Sequence, residues 1–179
     1  MLNSLEKLGL TRIGLISDTH GYMDDRILHH LNECNEIWHA GDIGSIELVD
    51  QINEFGKNNN KQVRWVHGNI DDHKVRLVCP EFNRFNVEKV EILMTHIAGK
   101  PGKYSLALAN ELQNNGSPTI LVCGHSHILL VKKDNHHNML WLNPGACGNK
   151  GFHRLRTMIR FEIEGDKIQN LEAIELGKR

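Results

Sequence analysis

The sequence lacks the features that mark secreted and membrane-embedded proteins. Its four cysteines lie far apart and form no C-x-x-C pair, which favours free thiols in a reducing compartment over disulfides. No uninterrupted apolar run reaches the length of a membrane span. Residues 1–10 show no apolar core followed by a small-residue cleavage site, so we expect no secretory leader. These absences predict a cytoplasmic protein that makes no membrane contact.

An excess of charge of one sign is missing as well. The 179 residues carry 21 Lys and Arg against 22 Asp and Glu. This balance provides no broad cationic surface for the counterion release that drives nucleic-acid binding, so nucleic acid is not expected as a partner. Apolar residues make up 40% and charged residues 24%, which is ordinary globular usage. With no internal repeat and no low-complexity linker, residues 1–179 are predicted to form a single domain.

Histidine, by contrast, is abundant, with 12 residues in the chain. It is the commonest metal ligand near neutral pH, and its side chain is polar and costly to keep in an apolar core. The number alone does not identify a site. The positions of the histidines relative to the predicted strands decide which of them can act together.

The first seventy residues alternate predicted strands and helices. Asp24 or Asp25 is expected to cap one helix, and Ser45 is expected to cap the next. Strands are predicted at residues 12–17, 36–40 and 62–67. This alternation favours parallel strands covered by helices.

The remainder of the chain is predicted to be mostly strand. A hairpin is expected over residues 84–95, and Pro101 is predicted to open a helix that runs to about Asn114. Further strands are predicted at residues 119–123, 128–132, 139–142, 157–162 and 168–174. Two packed sheets with outer helices would accommodate both halves of the chain.

Five short motifs each follow a predicted strand. In open α/β sheets the loops beyond the carboxyl ends of the strands form the binding crevice, so these loops are expected to deliver side chains to one place. The side chains are imidazoles, carboxylates and an amide, a set that suits Mn, Fe, Co, Ni or Zn better than calcium. The motifs are Asp18-Thr19-His20-Gly21, Gly41-Asp42, Gly68-Asn69-Ile70-Asp71, Thr95-His96 and Gly124-His125-Ser126-His127.

Each motif is a weak signal by itself. Asp18 alone is typical of a turn or a helix cap, and His96 alone is typical of a hydrogen-bonded core histidine. His125 and His127 are more informative, because a spacing of two on an extended segment points both side chains to the same side. The agreement of all five motifs, in order and after strands, is what indicates a metal site.

The ordered motifs resemble the signature of the calcineurin-like metallophosphoesterases. The sequences of residues 17–21 and 143–145 resemble those of the small bacterial and archaeal phosphodiesterase branch of that family. The resemblance covers residues 12–148. It implies an α/β fold, namely a four-layer αββα sandwich of two mixed β-sheets flanked by helices. It also implies two divalent transition metal ions, with manganese as the first choice. One ion would be held by Asp18, His20, Asp42 and His127, and the other by Asp42, Asn69, His96 and His125.

The activity implied by the resemblance is hydrolysis of a small phosphorylated substrate, above all a phosphodiester. Two divalent ions bring four positive charges while Asp18 and Asp42 return only two, so the site is expected to attract phosphate. A hydroxide shared between the ions would attack phosphorus directly. Asn69 would both bind metal and orient a phosphate oxygen.

Ile70 departs from the pattern of many relatives, which have a histidine there as the candidate proton donor to the leaving group. Losing a general acid typically costs about 10²–10⁴ in rate when the leaving group is poor. We therefore predict a preference for esters with stable leaving groups. The neighbouring Asp71 is expected to steady its loop.

Two other functions stay open. A retromer coat subunit shares the implied fold and serves as a protein-binding scaffold, but the complete set of ligand residues in this chain favours catalysis. A repair nuclease of the same superfamily would need additional DNA-binding length, which 179 residues do not offer. Association into homo-oligomers is compatible with the sequence.

Several polar residues near the motifs are set aside. His39 and His67 are interpreted as strand residues that either support the site from behind or pack in the core, and His73 as a solvated loop residue. His153, with Arg154 and Arg156, could meet the charge of the substrate, but a solvated basic segment is the preferred interpretation.

Overall fold

The computed structural model describes residues 9–179, and the expectation of no leader at the amino terminus falls largely on residues outside this range. The elements are, in chain order, β1 (Leu10–Ile16), α1 (Asp25–Asn32), β2 (Glu36–Ala40), α2 (Ile46–Asn58), β3 (Gln62–Val66), α3 (His73–Val78), β4 (Phe82–Val87), β5 (Val90–Thr95), β6 (Gly99–Lys100), β7 (Lys103–Tyr104), α4 (Leu106–Asn115), β8 (Ile120–Val122), β9 (Leu129–Asp134), β10 (Met139–Pro144), β11 (Leu155–Glu164) and β12 (Lys167–Lys178).

Ten of these strands form two mixed sheets of five. The first sheet has the order β12-β11-β1-β2-β3, and the second has the order β4-β5-β8-β10-β9. Strands β1, β2 and β3 are parallel to one another. Strand β11 runs antiparallel to β1, and β12 runs antiparallel to β11. In the second sheet β5, β8 and β10 are parallel, and β4 and β9 are antiparallel edge strands.

Three apolar clusters correspond to the three interfaces of a four-layer sandwich. Strand side chains alternate between faces, so neighbouring residues of β5 serve different clusters: Ile92 and Met94 lie between the two sheets, whereas Leu93 faces α4. Helices α1 and α2 cover the outer face of the first sheet through a third cluster. The αββα architecture predicted from the resemblance is therefore confirmed.

The predicted helix caps of the first half are correct. The Asp24 side chain accepts a hydrogen bond from the Ile27 N–H at the start of α1, and Ser45 caps α2 through the Leu48 N–H. None of the helices in residues 9–179 has the length and apolar character needed to cross a membrane.

Two predictions about the middle of the chain were wrong. Pro101 does not open a helix, because it lies with Gly102 in the turn of the small β6–β7 hairpin, and α4 begins only at Leu106, after the capping residue Ser105. The segment after the third motif is not an open loop, since α3 begins at His73 with Asp72 as its cap.

Candidate metal centre

The five motifs lie in loops that follow the carboxyl ends of β1, β2, β3, β5 and β8, and these loops meet. The Asp18 N–H donates to the Gly41 carbonyl at 3.0 Å, and the Gly124 N–H donates to the His96 carbonyl at 3.1 Å. These contacts join loops within each sheet, and the His125 N–H, which donates to Asp18 Oδ2 at 3.2 Å, joins a loop of the second sheet to one of the first. The predicted convergence of the five loops is therefore present.

Five of the seven predicted ligands come together in two groups of three. The first group is Asp18, His20 and His127, and the second is Asp18, Asp42 and His96. Within each group the ligand atoms lie within 4.8 Å of one another. Asp18 belongs to both groups, so two cations held there would be close neighbours.

The two oxygens of Asp42 also face both groups. Oδ1 lies 3.2 Å from His96 Nε2, and Oδ2 lies 3.8 Å from His20 Nε2. Burial acts to raise the pKa of Asp42, but the His96 side chain and the Ile70 N–H outweigh it, so that the pKa lies below its usual range. A carboxylate that stays ionised and points one oxygen at each group is suited to lie between two metals.

Several buried ligand atoms have no hydrogen-bond partner. In residues 9–179 only four buried side-chain nitrogen or oxygen atoms lack one, and three of them are Asp18 Oδ1, His20 Nε2 and His96 Nε2. A buried polar atom left unpaired costs roughly 1–3 kcal/mol. These three atoms fall in the two adjoining groups of three, and a divalent cation in each group would satisfy them.

The tautomer of His96 is fixed by its surroundings. Its Nδ1 lies 2.7 Å from the Ala40 carbonyl oxygen, which only accepts hydrogen bonds, so Nδ1 must carry the proton. In the neutral ring, Nε2 then presents its lone pair towards the Asp18 and Asp42 carboxylates. Burial acts to lower the pKa of His96, but the nearby Asp42 and Asp18 carboxylates outweigh it and raise the pKa. For His20, burial outweighs the same two carboxylates and lowers the pKa, and this favours the neutral imidazole that binds metal.

The backbone at the site is strained. Nine residues other than glycine in residues 9–179 have positive φ, and five of them are predicted ligands: Asp18, His20, Asp42, His125 and His127. The left-handed conformation costs a non-glycine residue roughly 1–2 kcal/mol. Such strain persists where the surroundings enforce it and is concentrated at functional sites. The clustering is therefore an independent sign that these five positions act together.

Two glycines allow the loops to approach the ligands closely. A Cβ atom on Gly68 would lie 2.1 Å from Asp42 Oδ1, and one on Gly124 would lie 2.1 Å from Ser17 Oγ and 2.9 Å from Asp18 Oδ2. Neither position has room for a side chain. The two glycines therefore permit the close packing of the motif loops against the ligand side chains.

Asn69 and His125 lie at the open side of the site. Both are exposed, and the ring of His125 lies 5.3 Å from that of His96. Asn69 lines a cavity of about 360 Å³ together with His96 and Ile97. The roles of Asn69 and His125 as ligands stay predictions, as do those of the five residues in the two groups of three.

His39 supports two of the loops from behind, as the sequence suggested. It is fully buried, its Nδ1 accepts a hydrogen bond from the Gly41 N–H at 3.2 Å, and its Nε2 lies 2.9 Å from Thr19 Oγ1. The Thr19 hydroxyl donates onward to the Ile43 carbonyl, so His39 Nε2–H must be the donor to Thr19. The ring is thus held neutral between the first and second motifs.

This arrangement predicts a pH-dependent stability. Burial lowers the pKa of His39 to about 4 from an ordinary 6.5, against the nearby carboxylates of Asp71 and Asp18. Between pH 6.5 and 4 the His39 side chain binds a proton in the unfolded chain but not in the folded chain. The contribution of His39 to the free energy of unfolding is therefore complete above pH 6.5 and is lost as the pH falls towards 4. In metal-free protein, His39→Gln is expected to flatten the pH dependence of the unfolding free energy by up to about 1.4 kcal/mol per pH unit between pH 6 and 4.5.

The measurement is urea unfolding at several pH values in the presence of a chelator. Thr19→Val is the matched control, because it removes the hydrogen-bond partner of His39 while leaving the titrating group, and it should lower stability without flattening the curve. Parallel curves for wild type and His39→Gln would contradict the prediction.

The loop of the third motif is steadied as predicted. The Asp71 carboxylate accepts hydrogen bonds from the Gly68 N–H at 2.7 Å and the Gly44 N–H at 2.8 Å. Arg76, in the unpredicted helix α3, donates to the main-chain carbonyls of Asp71 and Gly68. No sequence signal identified Arg76, because α3 has only six residues and shows no helical period.

The interpretation of residues 153–156 as a solvated basic segment was wrong for two of its three members. Arg156 is buried and donates to the Asp24 carboxylate and the Leu176 carbonyl. His153 is also buried and lies against His127. The contact joins residues 26 positions apart in the sequence, so no local sequence pattern predicts it.

Comparisons with known proteins agree with this geometry. The family profile described as Calcineurin-like phosphoesterase superfamily domain matches residues 11–166. No curated protein matches the chain. Among solved structures, a Thermotoga maritima protein has a TM-score of 0.69 and 26% identity, over 92% of this chain and 99% of its own.

Two further structures share the fold but are described as different kinds of protein. A conserved uncharacterized protein of Streptococcus pneumoniae TIGR4, described as a predicted phosphoesterase, has a TM-score of 0.66 and 20% identity over 94% of this chain and 91% of its own. Vps29 from Entamoeba histolytica, complexed with Zn²⁺, has a TM-score of 0.67 and 17% identity over 93% and 99%. The profile match covers most of the sequence and contains all seven candidate ligands, and the chain therefore belongs to the calcineurin-like phosphoesterase superfamily.

Proposed function

We propose that the protein is a phosphoesterase that depends on two divalent metal ions, and specifically a phosphodiesterase acting on a small substrate. The observation that carries the proposal is that three buried ligand atoms without hydrogen-bond partners, from Asp18, His20 and His96, lie in two adjoining groups of potential metal ligands. A protein-binding surface gains nothing from such unpaired atoms. A cation site does.

The proposed ligand sets follow the family pattern. Asp18, His20, Asp42 and His127 hold one ion, and Asp42, Asn69, His96 and His125 hold the other. Support comes from the two oxygens of Asp42, which face His96 and His20. The nitrogen and oxygen donors suit manganese first, and iron, cobalt, nickel or zinc as well. When bound, the ions supply positive charge for the phosphate and lower the pKa of water towards neutrality.

The chain's own residues are proposed to bind and orient the ester. The exposed side-chain amide of Asn69 is placed to donate to a phosphate oxygen at the mouth of the site. The adjoining cavity of about 360 Å³, also lined by Arg76 and Ser105, has the size of a small-molecule site and would receive one of the esterified groups. The Ile70 side chain has no acidic proton, so it would not protonate the oxygen of the leaving group.

A scaffold function is the second candidate. Vps29 structures are among the structural neighbours, and the one from Chaetomium thermophilum is complexed with a cyclic peptide. Because Entamoeba histolytica Vps29 was solved with zinc, metal binding by itself does not separate the two functions. Hydrolysis separates them.

The deciding experiment is hydrolysis of bis-p-nitrophenyl phosphate by manganese-loaded protein. Turnover is expected to depend on the metal and to fall by at least about 10²-fold in Asp42→Ala, because the ions contribute several kcal/mol to the transition state. Asp50→Ala, an exposed carboxylate on α2, is the control and should keep full activity. If correctly folded wild-type protein shows no metal-dependent turnover, the scaffold function is favoured.

A reducing compartment is also proposed. All four cysteines are free and buried, and burial raises the pKa of Cys123 and of Cys147 to about 12. Such thiols are inert packing groups, which is compatible with the predicted cytoplasmic location.

A further inference from the structure

We propose that His153 is a positioning residue that fixes the tautomer of His127 and so sets the affinity for the ion held with Asp18 and His20. The inference rests on the proposed function only in taking His127 as a metal ligand. It concerns a residue outside the five motifs, and it is carried by hydrogen bonds among described residues.

His153 lies directly behind His127. Its Nδ1 is 3.2 Å from His127 Nδ1, and its Nε2 is 3.0 Å from the Gly148 carbonyl oxygen. Only 9% of the residue is exposed. The contact between the two Nδ1 atoms is a hydrogen bond in which one ring carries the shared proton and the other accepts it.

The Gly148 carbonyl decides which ring donates. A carbonyl oxygen only accepts, so His153 Nε2 must carry a proton. In neutral His153 the Nδ1 atom is then the acceptor, and the proton of the shared hydrogen bond belongs to His127 Nδ1. His127 Nε2 is left with its lone pair, and it lies 3.2 Å from Asp18 Oδ1, on the side of the ligand group.

The packing around His127 enforces the same orientation. A Cβ atom on Gly151 would lie 2.3 Å from His127 Nδ1, so a glycine is needed for the segment to pass behind the ring. The ring of Phe152 stacks on His127 at 5.5 Å with an interplanar angle of 13°. The segment is anchored to the site by the Gly148 N–H, which donates to the Asp18 carbonyl at 3.1 Å.

Residues of this kind orient a metal ligand without touching the metal. Replacing such an outer partner typically weakens metal affinity by about 10–100-fold. A residue with a merely structural role would affect stability but not the affinity for one ion in particular. The two possibilities are separated by comparing substitutions that keep or remove the acceptor.

The test is calorimetric titration of manganese into chelator-stripped protein. His153→Leu removes the acceptor and is expected to weaken one of the two ions by about 10–100-fold while leaving the other unchanged. His153→Asn places its Oδ1 where the imidazole Nδ1 was and should recover most of that affinity. His136→Leu, at an exposed histidine in the turn between β9 and β10, is the control and should bind both ions as wild type does.

A third variant is His153→Gln, whose amide oxygen lies one bond further from the backbone. This variant should bind the ion held with Asp18 and His20 more weakly than His153→Asn does. The comparison of Asn with Gln decides the matter if His153→Leu does not fold. Wild-type affinity in His153→Leu, or equal losses in all three variants, would overturn the proposal, as would a wild type that binds no ion. Two-ion binding without hydrolysis would refute the phosphoesterase while leaving the role of His153 intact.

Discussion

Saturating manganese is expected to raise the free energy of unfolding of the wild-type protein by about 5 kcal/mol, and Asp18→Asn is expected to lose about half of that gain. An ion that binds only the folded state at roughly 100 times its Kd contributes about 2.7 kcal/mol, and two ions contribute about twice as much. Asp18 is a proposed ligand of one of the two ions, the one held with His20 and His127, so its replacement weakens that ion.

In the absence of metal the same substitution is expected to act in the opposite direction. Asp18 is 0% exposed and its Oδ1 has no hydrogen-bond partner, so the metal-free protein keeps a buried carboxylate oxygen unsatisfied. Asparagine removes the charge and tolerates the left-handed φ of 55° at this position. The amide oxygen can still accept from Ser17 Oγ and the His125 N–H. Metal-free Asp18→Asn is therefore expected to be more stable than metal-free wild type by about 1–3 kcal/mol.

Urea unfolding with chelator and with manganese measures both effects. Asp134→Asn is the matched control, because this buried carboxylate accepts hydrogen bonds from Tyr104 and the His136 N–H. It should lower stability and keep the full gain from metal. A metal-free Asp18→Asn protein less stable than wild type, or one with an undiminished gain from manganese, would show that Asp18 serves the fold rather than the ions.

The motif loops were predictable because their positions follow from strand direction. Parallel strands bring their carboxyl ends to one edge, so Asp18 and Asp42, which follow β1 and β2 of the first sheet, had to approach each other once the strands were assigned. His96 follows β5 of the second sheet, and its approach depends on how the two sheets pack. The first inference needed only local periodicity and chain direction.

The features that escaped prediction depend on contacts between distant residues. Pro101 is typical of a helix start, but positive φ at Gly99 and Gly102 turns the chain into a hairpin, and Ser105 provides the true cap. His153 acts on a residue 26 positions away. The left-handed conformations of the ligands could not be predicted from the sequence either, because aspartate and histidine do not indicate positive φ as glycine does.

The absence of a proton donor at Ile70 leads to the second large effect, a change of substrate preference. The wild-type protein is expected to hydrolyse aryl diesters far better than glycerol phosphate, because p-nitrophenol leaves as a stable anion whereas an alkoxide needs a proton. Ile70 is 46% exposed, and its N–H donates to Asp42 Oδ1 at 3.1 Å. A new side chain at this position can therefore reach the mouth of the site without changing the hydrogen bond of the main chain.

Ile70→His is expected to raise kcat/KM for glycerol phosphate by about 10²-fold, at the lower end of the range for general acid catalysis, and to change hydrolysis of bis-p-nitrophenyl phosphate only a few fold. The gain should disappear as the pH rises above about 6.5, where the introduced imidazole loses its proton. Ile70→Phe is the control for ring size and should bring no gain with either substrate. Equal acceleration of both esters, or a gain that persists at high pH, would mean that the new side chain alters binding rather than protonating the leaving oxygen, because only the alkoxide requires the proton that Ile70 cannot supply.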